Sequence, residues 1–436
     1  MANSRRRAAF EGACIRLQSL LLWSLLLPAV VPASEWQDHE VRQLNGSALR
    51  IVLPARYQVV SETWNRIARN PYLVYMPEKK RLLMLVSCDD PLSPHVLQSD
   101  DLGVTWTSPK YMHIEETGDH HTGTGVSLTY LGEGRVVLAV EGKGRHFSED
   151  YGQTWSDPVP TPPSPVGPPW YQWDPYLVDR NQQTGKITRI WETGYNENLG
   201  YHQPFLRFSV DEGRSWSESL PVPQWKNANE VALFRAANGD LVAACRTESR
   251  KFDPSRPWTD HYAGLAISLS QDDGSTWSQP AILYDWGRHH PSMVLLPGGD
   301  IVMSHVVRKG YVPAADGYPR FGIEAIVSRD HGKTWDLDHK YMLAVWKSTR
   351  KGKASFWGAC QATTSVILPD GSILTAFGTG YRTRESKDGE LGKPMPRDIA
   401  MVNWRVNNEG LNAESALANT AFDTDARNLF DPGSPE

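Results

Sequence analysis

The sequence predicts an all-β protein, a six-bladed β-propeller of four-stranded antiparallel blades. Two internal repeats and a composition rich in turn formers predict it. One octapeptide, Ser-x-Asp-x-Gly-x-Thr/Ser-Trp, occurs five times, at 99–106 (SDDLGVTW), 148–155 (SEDYGQTW), 209–216 (SVDEGRSW), 270–277 (SQDDGSTW) and 328–335 (SRDHGKTW). Its aspartates Asp101, Asp150, Asp211, Asp272 and Asp330 are 49, 61, 61 and 58 residues apart, the period of a propeller blade rather than of a helical solenoid. The 17 Trp and 35 Gly, with 31 Pro spread along the chain, suit sheets joined by many turns.

Each octapeptide has the chemistry of a hairpin turn. Its Asp and Ser accept bonds from turn amides, its Gly supplies a positive φ, and its Trp folds back as a lid. A structural role is expected for the five aspartates, not calcium binding.

A second, longer unit lies beneath the first: an apolar strand, a Gly or charged turn, then another apolar strand. It starts at Asn70, Gly125, Asp174, Glu230, His290 and Ala362, and six units mean six blades. The octapeptide then joins the third and fourth strands of blades one to five. IAMVNWRV, from Ile399, ends blade six, and the segment 41–60 is expected to supply the closing strand.

The ends of the chain read differently. Arg5, Arg6 and Arg7 precede an apolar run from Leu17 to Val31 and the small residues Ala33 and Ser34, the pattern of an export signal. A membrane anchor is the alternative, but the run is short and contains Pro28. The expected organisation is a signal peptide at 1–34, a propeller at 35–407 and a polar tail at 408–436. Export to the periplasm or beyond follows, with no stable membrane insertion after cleavage. Without residues 1–34 the chain holds 41 basic and 49 acidic residues, a charge of −8, which argues against a nucleic-acid partner. Cys88, Cys245 and Cys360 then remain, an odd number whose spacing gives neither a disulfide framework nor a zinc motif.

In a propeller the inner strands all start at one mouth of the central channel. That column is Asn70, Gly125, Asp174, Glu230, His290 and Ala362, preceded by Arg69, Thr124, Trp173, Asn229, His289 and Gln361. The ends of the second strands bring Glu141, Glu192, Arg246 and Arg308 to the same rim. Clustered charges of both signs in a concave mouth point to a site. Asp174 with Trp173 is expected to meet a sugar's hydroxyls and ring face, and Trp170, Tyr171 and Tyr195 either join them or belong to a solvated loop. His120, His121, His289 and His290 assist proton transfer or pack on sugar hydroxyls; their paired spacing is too nonspecific to indicate a metal.

These residues resemble the sialidase (neuraminidase) superfamily of six-bladed propellers with Asp boxes, over nearly the whole chain after the signal. The resemblance implies hydrolysis of a terminal sialic acid or related carboxylated sugar, without a cofactor, from a sialylated or other acidic glycan. Three arginines hold the substrate carboxylate in that superfamily, and Arg69, Arg246 and Arg308 match them; a guanidinium offers planar charged donors and keeps its proton. Glu230 matches the glutamate that activates a catalytic tyrosine. The acid/base aspartate corresponds to Asp90 or Asp89, in the loop SCDDPLSP. The tyrosine itself is missing: counting back from Gly371 of LPDG reaches Ala362.

Three readings of that vacancy stay open. Gln361 orients a water that Glu230 deprotonates; or Tyr311, Tyr318 or Tyr381 reaches in; or the site binds an acidic sugar without cutting it. A hydrolase or lyase acting on another polysaccharide is a further alternative, because fold does not fix function.

Overall fold

The computed structural model describes residues 30–31, 35–45, 49–64, 66–89, 91–112, 123–248, 263–308, 320–347, 362–379 and 398–407. Alternation of apolar residues around Gly-containing turns makes each repeat a strand pair, and the strand pairs build six antiparallel blades in a ring. Blade one is Ala68–Met76, Arg81–Cys88, Ser93–Ser99 and Lys110–Tyr111. Blade two is Gly125–Gly132, Arg135–Val140 and Gly144–Ser148, with a single bridge from Arg145 to Val159 in the fourth position. Blade three starts later than the repeat suggests, at Leu177–Arg180, and continues with Ile187–Asn196, Gln203–Ser209 and Leu220–Pro221. Blades four and five follow the same order from Ala228–Arg235 and Arg288–Leu295.

Blade six is closed by the other end of the chain. Thr363–Ile367, Ile373–Thr379 and Asp398–Trp404 are followed in the sheet by Leu49–Val59, with Val59 opposite Ala400 and Arg56 opposite Asn403. The expected closing strand is therefore present. Its hairpin partner Gln37–Asn45 also pairs with Tyr341–Lys347, the outer strand of blade five, so one ladder runs through both blades.

Each of the six junctions between neighbouring blades holds its own apolar cluster. Hydroxyls add directional links: Ser87 Oγ accepts the Gly125 amide (2.9 Å), Thr129 Oγ1 the Tyr176 amide (2.9 Å), and Ser292 Oγ the Ser365 amide (2.9 Å). Thr193 Oγ1 donates to the Val231 carbonyl (2.6 Å) and Thr364 Oγ1 to the Pro71 carbonyl (3.0 Å). These bonds sit on inner and second strands, where they fix the channel wall.

The octapeptides join third to fourth strands and repeat one network. In the box at 148–155, Asp150 Oδ1 accepts the Ser148 hydroxyl (2.9 Å) and the Thr154 amide (2.9 Å), its Oδ2 accepts the Thr154 hydroxyl (2.6 Å), and Ser148 Oγ accepts the Gly152 amide (2.9 Å). Gly152 has φ +81°, a backbone conformation that glycine adopts without a Cβ penalty. The aspartates are thus consumed by their own turns. Cys88 and Cys245 are buried free thiols; Cys360 lies outside the described residues, as do the expected tail at 408–436 and residues 1–29 and 32–34 of the expected signal peptide, whose Val30–Val31 pair with Trp106–Thr107. Among the described residues no helix is long and apolar enough to cross a membrane.

Candidate functional site

All six inner strands wall one central cavity of about 300 Å³, whose lining includes Tyr72, Thr129, Asp174, Ala232, His290 and Ala362. The first strands enter it through bulges: the ladder register shifts between Arg69 and Tyr72, between Ala228 and Val231, and between His289 and Ser292. Asn70 (φ +51°) and His290 (φ +52°) occupy the left-handed region there, each immediately before a proline. A bulge re-aims a side chain, and here it sets His290 on the cavity wall.

Behind His290 stands a buried charge relay. Glu230 Oε1 accepts a bond from Arg246 Nη1 at 2.7 Å, and His290 Nδ1 lies 2.9 Å from Glu230 Oε2, close enough for an ion pair but out of line for a well-formed hydrogen bond. Burial by itself would raise the Glu230 carboxyl; Arg246 and then His290 outweigh it and hold the group at about 2. Burial moves His290 below the ordinary histidine value; Glu230 opposes that shift, and the charges of Arg308 and Arg246 add to it. Asp174 goes the other way: burial, reinforced by the charge on Glu230, pushes it up to about 8. The two carboxyls are thus driven in opposite directions, Glu230 down and Asp174 up, the arrangement that separates base from acid.

The remaining expected residues divide. Trp173 and Ala362 line the cavity as the register implied, so the vacant tyrosine position is real cavity wall. Arg308 is fully buried within electrostatic reach of His290, whereas Arg69 is half-buried at the start of its strand. Asp89 faces elsewhere: both its oxygens bond Arg66, which holds its carboxyl below the usual range. That pairing keeps Asp89 ionised, the wrong state for the acid it was expected to be. Asp90, Gln361, His120, His121, Tyr311, Tyr318 and Tyr381 lie outside the described residues.

Glu192 does not reach the rim. It is fully enclosed between Arg145, whose Nη2 contacts both carboxylate oxygens (2.6 and 2.7 Å), and Arg207, which bonds Oε2. Arg145 also donates from Nε to the Tyr176 hydroxyl at 2.7 Å. The triad draws on three strands of two blades, so no local pattern announces it. Tyr72, Tyr176, Ser292 and Thr364 line the cavity unanticipated, each two residues after the column; Tyr72 and Ser292 lie just past the bulges.

Glu230, His289 and His290 bring ligand-capable atoms within 4.8 Å of one another. Both Glu230 oxygens already face cationic or imidazole partners, and two guanidiniums stand nearby, so the donor set fits an ion-pair network rather than a resident cation.

Residues 120–336 match the family model described as a BNR repeat-like domain. The chain's fold is similar to a solved protein of unknown function from Dyadobacter fermentans, at 16% identity and a TM-score of 0.57 over 84% of this chain and 99% of that one. It is also similar to the Hadza microbial sialidase Hz136 (14% identity, TM-score 0.48, 77% of this chain and 65% of that one). A third similar structure is an alpha-L-arabinanase of Penicillium chrysogenum complexed with arabinobiose (12% identity, TM-score 0.47, 84% and 98%). No curated protein matches the sequence.

Proposed function

We propose that this BNR repeat-like propeller is an exo-glycosidase of the sialidase type, releasing a terminal sialic acid or a related carboxylated sugar from a glycan. The observation that carries the reading is that Asp174 and His290 line one cavity walled by all six blades, with Glu230 2.9 Å behind His290 and its charge acting on Asp174. Arg246 and Arg308 beside these groups, with Arg69 at the start of its strand, supply positive charge for a sugar carboxylate.

In the proposed reaction Asp174, in the place expected of Asp89 or Asp90, donates its proton to the glycosidic oxygen as the bond to the anomeric carbon breaks. A water in the space beside Ala362 attacks that carbon, and its proton passes to the His290 and Glu230 pair. Gln361, adjacent in sequence to Ala362, positions the water. Direct attack by water inverts the anomeric centre. Following the released sugar by proton NMR tests this: the inverted anomer appears first, and Glu230→Gln abolishes release. A first-formed retained anomer rejects the water nucleophile.

Ala362 in the tyrosine position favours a second reading, a propeller that binds acidic glycans without cutting them. Saturable binding with no sugar released between about pH 4 and pH 9, a range spanning the titration of carboxylates and histidine, selects it. Appearance of an unsaturated sugar selects a lyase instead.

A further inference from the structure

A second cavity, of about 360 Å³, opens between blades two and three, lined by Val126, Glu141, Lys143, Trp170, Tyr171 and Gln172 among others. We propose that it binds the neutral sugar next to the terminal residue, on the leaving-group side of the bond to be cut. This deepens the proposed function and rests on it.

Adjacency to the central cavity is the first argument. Val126 lines the side cleft while Leu128, two residues along the same strand, lines the central cavity. Side chains two apart in a strand share a face and lie about 7 Å apart, roughly one sugar step along a glycan. The segment 172–174 makes the same passage: Gln172 belongs to the cleft, and Trp173 and Asp174 to the central cavity. A terminal sugar beside Asp174 therefore directs its leaving group toward this cleft.

The second argument is that the cleft is built in advance. The connector TPPSPVGPPW is pinned along its length: Asn196 Nδ2 donates to the carbonyls of Gly167 (3.0 Å) and Pro169 (2.6 Å), and Asn198 Nδ2 to those of Val166 and Pro168 (both 2.9 Å). Arg207 lies 3.8 Å from the ring centre of Trp170. Gly194 permits that seat, since a Cβ there would stand 2.2 Å from the indole. Tyr171 packs against Tyr195 at a tilt of 32°, with ring centres 5.1 Å apart. The Arg145–Glu192–Arg207 triad thus supports both compartments, holding Tyr176 in one and Trp170 in the other. Rigid aromatic walls lose little entropy on binding, and the exposed Glu141 and Lys143 at the lip offer an acceptor and a donor for hydroxyls.

The test compares two substrates of the same acidic sugar, its methyl glycoside and its trisaccharide on lactose. Tyr171→Ala lowers the ratio of kcat/KM for trisaccharide over methyl glycoside at least fivefold; Lys143→Ala lowers it at least twofold, and Tyr171→Phe retains it. An unchanged ratio in both alanine variants overturns the subsite. Lactose binding, followed by titration calorimetry, separates this proposal from the function on which it rests, because lactose carries no acidic sugar. Wild type binds lactose and Tyr171→Ala binds it at least fivefold more weakly. Equal affinity, or no binding to wild type, overturns the subsite even where hydrolysis is found. Lactose binding lost in Tyr171→Ala supports it even where no sugar is released.

Discussion

His290 Nδ1 stands 2.9 Å from Glu230 Oε2 on a residue held at φ +52°. A histidine at positive φ is uncommon, and such conformations cost about 1–3 kcal/mol and gather at functional sites. His290→Asn keeps a side chain that tolerates this conformation while removing the imidazole. It should fold, and its kcat/KM should fall roughly 100-fold, the scale of a lost proton-transfer group.

In the proposed reaction Asp174 sets the alkaline limb of activity. With its carboxyl at about 8, kcat/KM should decline as pH rises through that value, and Asp174→Asn should lower activity about 100-fold or more while removing the limb. The same shift acts on stability. The folded state binds a proton that the unfolded chain releases near the ordinary aspartate value of about 4, so this contribution is complete below that value and is lost as pH rises toward 8. Thermal melts across that window should therefore show a weaker decline for Asp174→Asn than for wild type.

Breaking the Glu230–Arg246 pair from one side leaves a buried charge. Arg246→Met should destabilise the fold by roughly 3–5 kcal/mol, and adding Glu230→Gln should recover part of that loss without restoring activity. Denaturant titration of the single and double variants measures the difference.

The turn aspartates should behave in the opposite way. Asp150→Ala removes acceptors for the Ser148 hydroxyl and for the amide and hydroxyl of Thr154. A loss of about 1–3 kcal/mol is expected, with kcat/KM within twofold of wild type.

How much of this was legible follows from periodicity. The repeat set the register of the inner strands, and that register led to Glu230, His290, Arg246 and the vacancy at Ala362. Reading the column two residues further on would have found Tyr72, Tyr176 and Ser292 as well. Asp174 was legible as a position but not as the acid proposed above, because its raised carboxyl depends on enclosure and on the charge of Glu230. Asp89 and Glu192 were misplaced for a related reason. Their partners Arg66, Arg145 and Arg207 come from other segments, and only the packed blades bring them together.

The hairpin of Gln37–Asn45 and Leu49–Val59 ties blade five to blade six, and this has a consequence for how the protein comes into being. The strand that completes the ring is made first and waits for Asp398–Trp404, made last. Until then both flanking sheets present unpaired edges, the condition in which chains mispair with one another. Assembly of the central mouth is therefore a late event, governed by the meeting of Leu49–Val59 with Asp398–Trp404 rather than by any one blade.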